Sequence, residues 1–297
     1  MRIMAGDAVV AEYQAEPDVD PLLGPRPYLH PVRTLGGVPV SDALPEDHRW
    51  HLGVSVAMQD ADGVNLWGGR TYVRGRGYTW LEDHGRIAHV EWLPAPGGGF
   101  AERLHWLSPA GEVLLTEVRT VRADPAPLGW ELTFSYTLGG DRDVRLGSPA
   151  TNGRPDGAGY GGFFWRAAPG PATTFTARHE GEDEVNGSAE PWVALTGPGP
   201  YTLVFRGLSG DDRWFVRTSN GGYAGVCAAL AFSEELVVRA GIPLERTLTV
   251  LVADGLLTRE QCAAHRPALG DRDGPAGVDQ VEGVPQTASS ATAPPQP

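Results

Sequence analysis

Two imidazoles stand three residues apart in Pro45-Glu46-Asp47-His48-Arg49-Trp50-His51-Leu52-Gly53, the densest polar stretch of the chain. An unperturbed imidazole titrates near pH 6.5, so His is the side chain best matched to proton transfer at neutral pH. Residues i and i+3 face opposite ways on a strand but can converge in a turn. In a turn, His48 and His51 could form an acid–base pair. They could equally supply two ligands to one metal, with Glu46, Asp47 or a remote carboxylate completing the set. The competing reading is a loop whose histidines hydrogen-bond nearby backbone, and HxxH spacing taken alone favours it.

Other segments pair chemistry with a bland alternative. In Gly85-Arg86-Ile87-Ala88-His89-Val90-Glu91, a strand would put His89 and Glu91 on one face, as a base and its orienter or as a solvated pair. Glu117 and Arg119 fall among Val113 and Leu115 on one face of an apolar run, on a wet sheet face or lining a cavity. Tyr160-Gly161-Gly162-Phe163-Phe164-Trp165-Arg166 suits stacking on a sugar ring with Arg166 bonding its hydroxyls; the alternative is a core strand with a snorkelling arginine. Trp214-Phe215-Val216-Arg217-Thr218-Ser219-Asn220 would bring Arg217 and Asn220 to a loop mouth, where binding residues gather. Trp67, before Gly68-Gly69, is a candidate stacking platform.

The elements that must position these groups read as strands. From Trp130 to Leu138, Trp130, Leu132, Phe134, Tyr136 and Leu138 alternate with polar residues, the period of a half-buried strand. Similar runs occupy His51–Gln59, Arg86–Leu93, Phe100–Leu107, Glu112–Arg122, Tyr201–Gly207, Trp214–Arg217 and Thr247–Val252. Asp62-Gly63 and Pro109-Ala110-Gly111 read as hairpin turns. The segment Ala224–Glu235 fits a short helix or a loop. One helix is expected from a cap at Thr258, with Gln261 completing a capping box, to about His265 before Pro267. The expected fold is all-β: two large antiparallel sheets in one domain over residues 1–269. Residues 270–297, rich in Pro, Ala, Ser and Thr, are expected to be a disordered tail.

Composition narrows the chemistry. The 297 residues carry a net charge of −13, and every one of the 24 fixed cations is arginine. Without lysine there is no Schiff-base chemistry and no lysine-bearing phosphate loop. The acidity disfavours nucleic acid and anionic membranes as partners. Cys227 and Cys262 form neither a disulfide framework nor a cysteine zinc site. Met1–Tyr13 carries Asp7 and Glu12 and does not read as a signal peptide, and no apolar run reaches the length of a membrane span. The expected compartment is the cytoplasm.

The ordered series Arg26-Pro27-Tyr28-Leu29-His30-Pro31, Gly37-Val38-Pro39-Val40, the His48–His51 segment, Asp62-Gly63-Val64-Asn65-Leu66-Trp67-Gly68-Gly69, Asn186-Gly187-Ser188 and Pro191-Trp192-Val193-Ala194 resembles the DUF6807 family. That family often carries the label "PmoA family" or methane oxygenase PmoA. The likeness spans most of residues 8–256. Trp50 stands where the family commonly has another histidine, which removes a third imidazole. The resemblance implies a galactose mutarotase-like antiparallel β-supersandwich and a carbohydrate role; a methane-oxidising membrane subunit would need spans that are absent. On that footing the chain is expected to act on a sugar or oxidised (keto) sugar by acid–base chemistry, as an epimerase, lyase or hydratase. The catalytic candidates are His48, His51 and Glu117. Those for substrate binding are Trp67, His89, Arg119, Arg166, Arg217 and Asn220. A non-catalytic carbohydrate-binding or structural protein is the alternative. No motif specifies a cofactor, and whether a metal binds stays open.

Overall fold

Alternation in the run around Trp130–Leu138 works out as a physical division of inside from outside. In the computed structural model the strand spans Gly129–Gly139, and its five large apolar residues are each no more than 1 % exposed. They form one face of an eight-stranded sheet. Its order is Thr173–Phe175, Trp192–Gly197, Tyr201–Arg206, Leu244–Asp254, Gly129–Gly139, Val113–Ala126, Phe100–Leu107 and Arg86–Leu93. A seven-stranded sheet runs Arg2–Ala5, Ala8–Gln14, Tyr28–Val32, Val54–Ala57, Gly162–Arg166, Tyr223–Ala229 and Arg213–Asn220. Neighbours in both sheets pair antiparallel. The structure describes residues 1–95, 99–220 and 222–267, apart from the side chains of 219 and 220. The tail expected from Gly270 lies outside the described residues.

The two sheets meet face to face through one apolar core, as the pairing of alternating faces requires. Phe134 of the larger sheet meets Phe163 of the smaller edge to face at 5.1 Å. Trp165 meets Phe205 in the same way at 5.6 Å. At Asp62-Gly63 both residues have positive φ, 51° and 85°, and Val64 N–H closes the turn on the Ala61 carbonyl. That is the primed turn the Asp-Gly pair favours. The C-terminal helix spans Arg259–Ala264 with Thr258 as N-cap and the full capping box to Gln261. It buries Cys262 against Trp192, Ala194 and Leu251 on the outer face of the larger sheet.

Two local expectations change. The stretch beginning at Ala224 is a strand, Tyr223–Ala229, buried at every position. A strand covered on both faces has no period-two signature, so its continuous apolar run could not be told from a helix. His89 and Glu91 do not share a partner, because the register shifts between them against Phe100–Leu107. His89 pairs with buried Glu102, and Glu91 with Arg103 at the surface. Among the described residues no helix is long and apolar enough to cross a membrane.

Candidate functional site

The strands Gly162–Arg166, Tyr223–Ala229 and Arg213–Asn220 turn their second face away from the core, and that face is also apolar. Phe164, Phe215, Cys227 and Ala229 cluster there with Trp67. Small residues on the central strand leave room for rings to settle against the sheet. Above this floor opens a cleft of about 490 Å³, walled by Trp50, Trp67, Tyr160, Phe215, Tyr223 and the two histidines. Its size and aromatic lining are those of a small-molecule site.

His48 and His51 converge because their segment is a closed loop. Bridging of Ala43 to Leu52 joins its ends, and His51 N–H donates to the His48 carbonyl at 2.8 Å. The rings stack at 4.8 Å and 22°. Stacked rings aim their in-plane lone pairs past one another rather than at a shared ion. Among the described residues no group of three or more His, Cys, Asp or Glu side chains is placed to hold a metal.

The two imidazoles differ in what they can do. His48 is 35 % exposed, and its Nδ1 lies 2.8 Å from Asp47 Oδ2. A carboxylate on Nδ1 fixes the ring and leaves Nε2 to exchange protons. Burial raises the Asp47 pKa, but the hydrogen bond and charge of His48 and the charge of Arg166 outweigh it and hold the carboxyl below its ordinary value. His51 is buried, and burial, followed by the charges of His48, Arg166 and Arg26, pulls its pKa well below 6.5. Arg166 Nη1 sits 3.4 Å from His51 Nδ1. A guanidinium only donates, so Nδ1 accepts and the ring proton resides on Nε2. His51 is therefore a neutral donor, and His48 is the group suited to take up a proton.

Arg166 is not among the cleft's lining residues. It is 1 % exposed and lies behind the histidine loop, 3.7 Å from both Asp42 and Asp47. Its guanidinium covers the Tyr223 ring at 4.4 Å, and the other rings packed near Tyr223 are His48 and His51 at 5.2 and 5.3 Å. Arg217 does line the cleft, with Glu182 3.5 Å away. Trp67 also lines it but is 2 % exposed, so it is a packed floor rather than an open platform. The Asn220 side chain lies outside the described residues.

Glu117, Arg119 and His89 belong to a different place, and the expected meeting of Glu117 with the histidines does not occur. Glu117 and Arg119 point from Val113–Ala126 into the space between the sheets, each fully buried. Glu117 accepts from Trp106 Nε1 at 2.8 Å and from Arg119 Nε at 2.7 Å. Arg119 continues to the Tyr13 hydroxyl at 3.0 Å, Tyr13 donates to Glu102, and Glu102 holds His89 Nδ1 at 2.8 Å. Charges on an apolar face are accounted for by mutual pairing, as buried ions require. None of them lines the cleft.

Several contributors were not among the site residues expected from the sequence. Arg26, fully buried, donates to the carbonyls of Gly24, Trp50 and Trp67 at 2.9–3.0 Å. One guanidinium thus ties together the two loops that carry the cleft's tryptophans. Gly69 has φ +70°, and a Cβ there would lie 2.6 Å from the Trp50 indole. Tyr223 was hidden in the unrecognised strand. Gln59, Arg70, Tyr78, Trp80 and Arg154 reach the cleft from residues scattered over nearly a hundred positions.

The family whose profile matches the chain, over residues 1–266, is described as a family of unknown function, DUF6807. The methane-oxygenase label has no counterpart in that description. No curated protein matches the chain. Among solved structures, the alpha-galactosidase from Lactobacillus brevis is similar at 9 % identity and a TM-score of 0.33, over 72 % of this chain and 33 % of that one. The chain spans about a third of the length of that enzyme.

Proposed function

The chain belongs to the DUF6807 family, and we propose that it is a carbohydrate-active enzyme that moves protons on an oxidised sugar. The observation that carries this is the Asp47–His48 pair opening on an aromatic-walled cleft beside a neutral His51. Aromatic rings pack against the apolar face of a sugar ring, while arginine, glutamine and phenol groups bond its oxygens. Next to a ketone, a ring C–H is acidic enough for a positioned base. His48 Nε2 takes that proton, and the C–H electron pair moves into the carbon framework as the carbonyl becomes an enolate. The enolate oxygen accepts a hydrogen bond from His51 Nε2–H, a donor that costs no proton of its own at neutral pH. Protonation of the same carbon by water from the opposite face, with His48 passing its proton to solvent, gives the epimer; return of the proton from His48 to the adjacent carbon, with the enediol O–H giving its proton to solvent, gives the isomer. Arg166 acts through Asp47 and His51 and is a positioning residue.

The test is a panel of sugars and 3-keto sugars followed by NMR in deuterated buffer, reading exchange of the ring C–H and product formation. Wild type should exchange the proton of its substrate. His48→Gln should slow exchange roughly 100-fold or more, the usual contribution of a general base. His51→Gln, which retains a donor, should lose less. Exchange in His48→Gln at the wild-type rate would sink the assignment, and saturable binding without exchange in any protein would make the chain a binding module.

A further inference from the structure

We infer that the cleft is built for a sugar derivative bearing an anionic group, and that Arg70 and Arg154 receive it. This rests on the carbohydrate reading above and narrows its substrate class. The chain as a whole is acidic, at −13, yet the fixed charges lining the cleft are those of Arg70, Arg154 and Arg217, and no carboxylate is among its lining residues within the described part of the chain. Arg217 has Glu182 as its ion-pair partner. Arg70 and Arg154 have none among the described residues; their guanidiniums lie over the rings of Trp80, at 5.8 Å, and Tyr78, at 4.8 Å. A guanidinium carries five donors in a planar fork matched to carboxylate or phosphate oxygens. The contact of Arg154 with the Tyr78 hydroxyl uses one of them.

Proton counting on the adjoining phenols gives the same answer. Arg154 donates to the Tyr78 oxygen, and Gln59 Nε2 donates to the Tyr160 oxygen at 3.0 Å. The two phenol oxygens are 2.9 Å apart, so one phenolic hydrogen bridges them. Whichever it is, the other phenol's hydrogen has no acceptor among the described residues. Gln59 also donates to the Arg70 carbonyl at 3.1 Å, which ties this phenol pair to the arginine backbone. The cleft thus offers two guanidiniums with no ion-pair partner among the described residues and a spare O–H, all donors. A neutral sugar hydroxyl, itself a donor as well as an acceptor, uses such a set poorly. A carboxylate or phosphate ester, acceptor only and charged, uses all of it.

Isothermal titration with D-glucose, D-glucuronate, glucose 6-phosphate and citrate, using wild type, Arg154→Gln and the exposed-site variant Arg70→Gln, tests this. At least one of the two anionic sugars should bind wild type roughly 10- to 100-fold more tightly than glucose, the range of a charge-assisted hydrogen bond. That preference should shrink in both variants and weaken with salt. Whichever of the two binds better identifies the anion as carboxylate or phosphate. Equal binding of glucose and both anions, unchanged by either variant, overturns the anion subsite and leaves the carbohydrate reading standing. Binding of citrate but of no sugar, lost in Arg154→Gln, upholds the subsite and overturns the carbohydrate reading. No binding of any anion overturns the subsite.

Discussion

His51 and Glu117 show how one residue's surroundings decide its use. The folded protein holds the His51 pKa well below the 6.5 of an exposed imidazole. As pH falls below 6.5 the unfolded chain binds a proton at this position that the folded chain does not. Stability attributable to His51 is therefore full above 6.5 and declines as pH drops toward the folded value. Denaturant titrations between pH 7.5 and 5 should show wild type losing stability on acidification, with a shallower slope in His51→Gln. An equal slope in the two proteins would mean that His51 titrates normally. Glu117 has the opposite profile, structural rather than chemical. Glu117→Ala leaves Arg119 charged and short of its closest partner in the core, a change that costs about 3–5 kcal/mol when a buried pair is broken. The expected result is a marked fall in melting temperature. A variant with wild-type stability and lost turnover would return Glu117 to the chemistry.

At the scale of elements, the cleft depends on loops that a sheet face holds in register. Gly69→Ala would place its methyl against the Trp50 indole, in a backbone region that disfavours side chains. Displacing the indole should weaken ligand binding by tenfold or more, with a smaller effect on the unfolding midpoint. Unaltered affinity in a folded Gly69→Ala protein would show that Trp50 is not a wall of the site. Elements with a repeating pattern were readable from the chain alone: the half-buried strands, the Asp62-Gly63 turn and the Thr258 cap each follow from local chemistry. Tyr223–Ala229 was not, because burial on both faces erases alternation. The histidine loop was legible as a cluster, since its members are three residues apart. Trp67 and Arg217, singled out beside glycines and at a strand end, line the cleft too, but Gln59, Arg70, Tyr78, Arg154 and Tyr223 were not legible, because they meet only through the pairing of distant strands. For Glu117 the polar residue in an apolar run was a true signal of something unusual, but a buried ion network and an active site give the same signal in one dimension.

For the molecule as a whole, one apolar core joins both sheets, and the helix Arg259–Ala264 covers one part of the outer face of the larger one, around Trp192 and Leu251. Residues 270–297 are rich in Pro, Ala, Ser and Thr and poor in large apolar side chains. Truncation after Pro267 should leave the melting temperature nearly unchanged, whereas truncation after Asp254 should lower it by uncovering Trp192 and Leu251. A fall of several degrees in the longer of the two truncated chains would show that the tail packs. The grip of Arg26 on three carbonyls bears on kinetics. With the Trp50 and Trp67 loops fastened to the same guanidinium, the walls of the cleft are shaped when the chain folds, not when a ligand arrives. Rearrangement then adds little to the barrier for entry, so related ligands should associate at similar rates and differ chiefly in how long they stay.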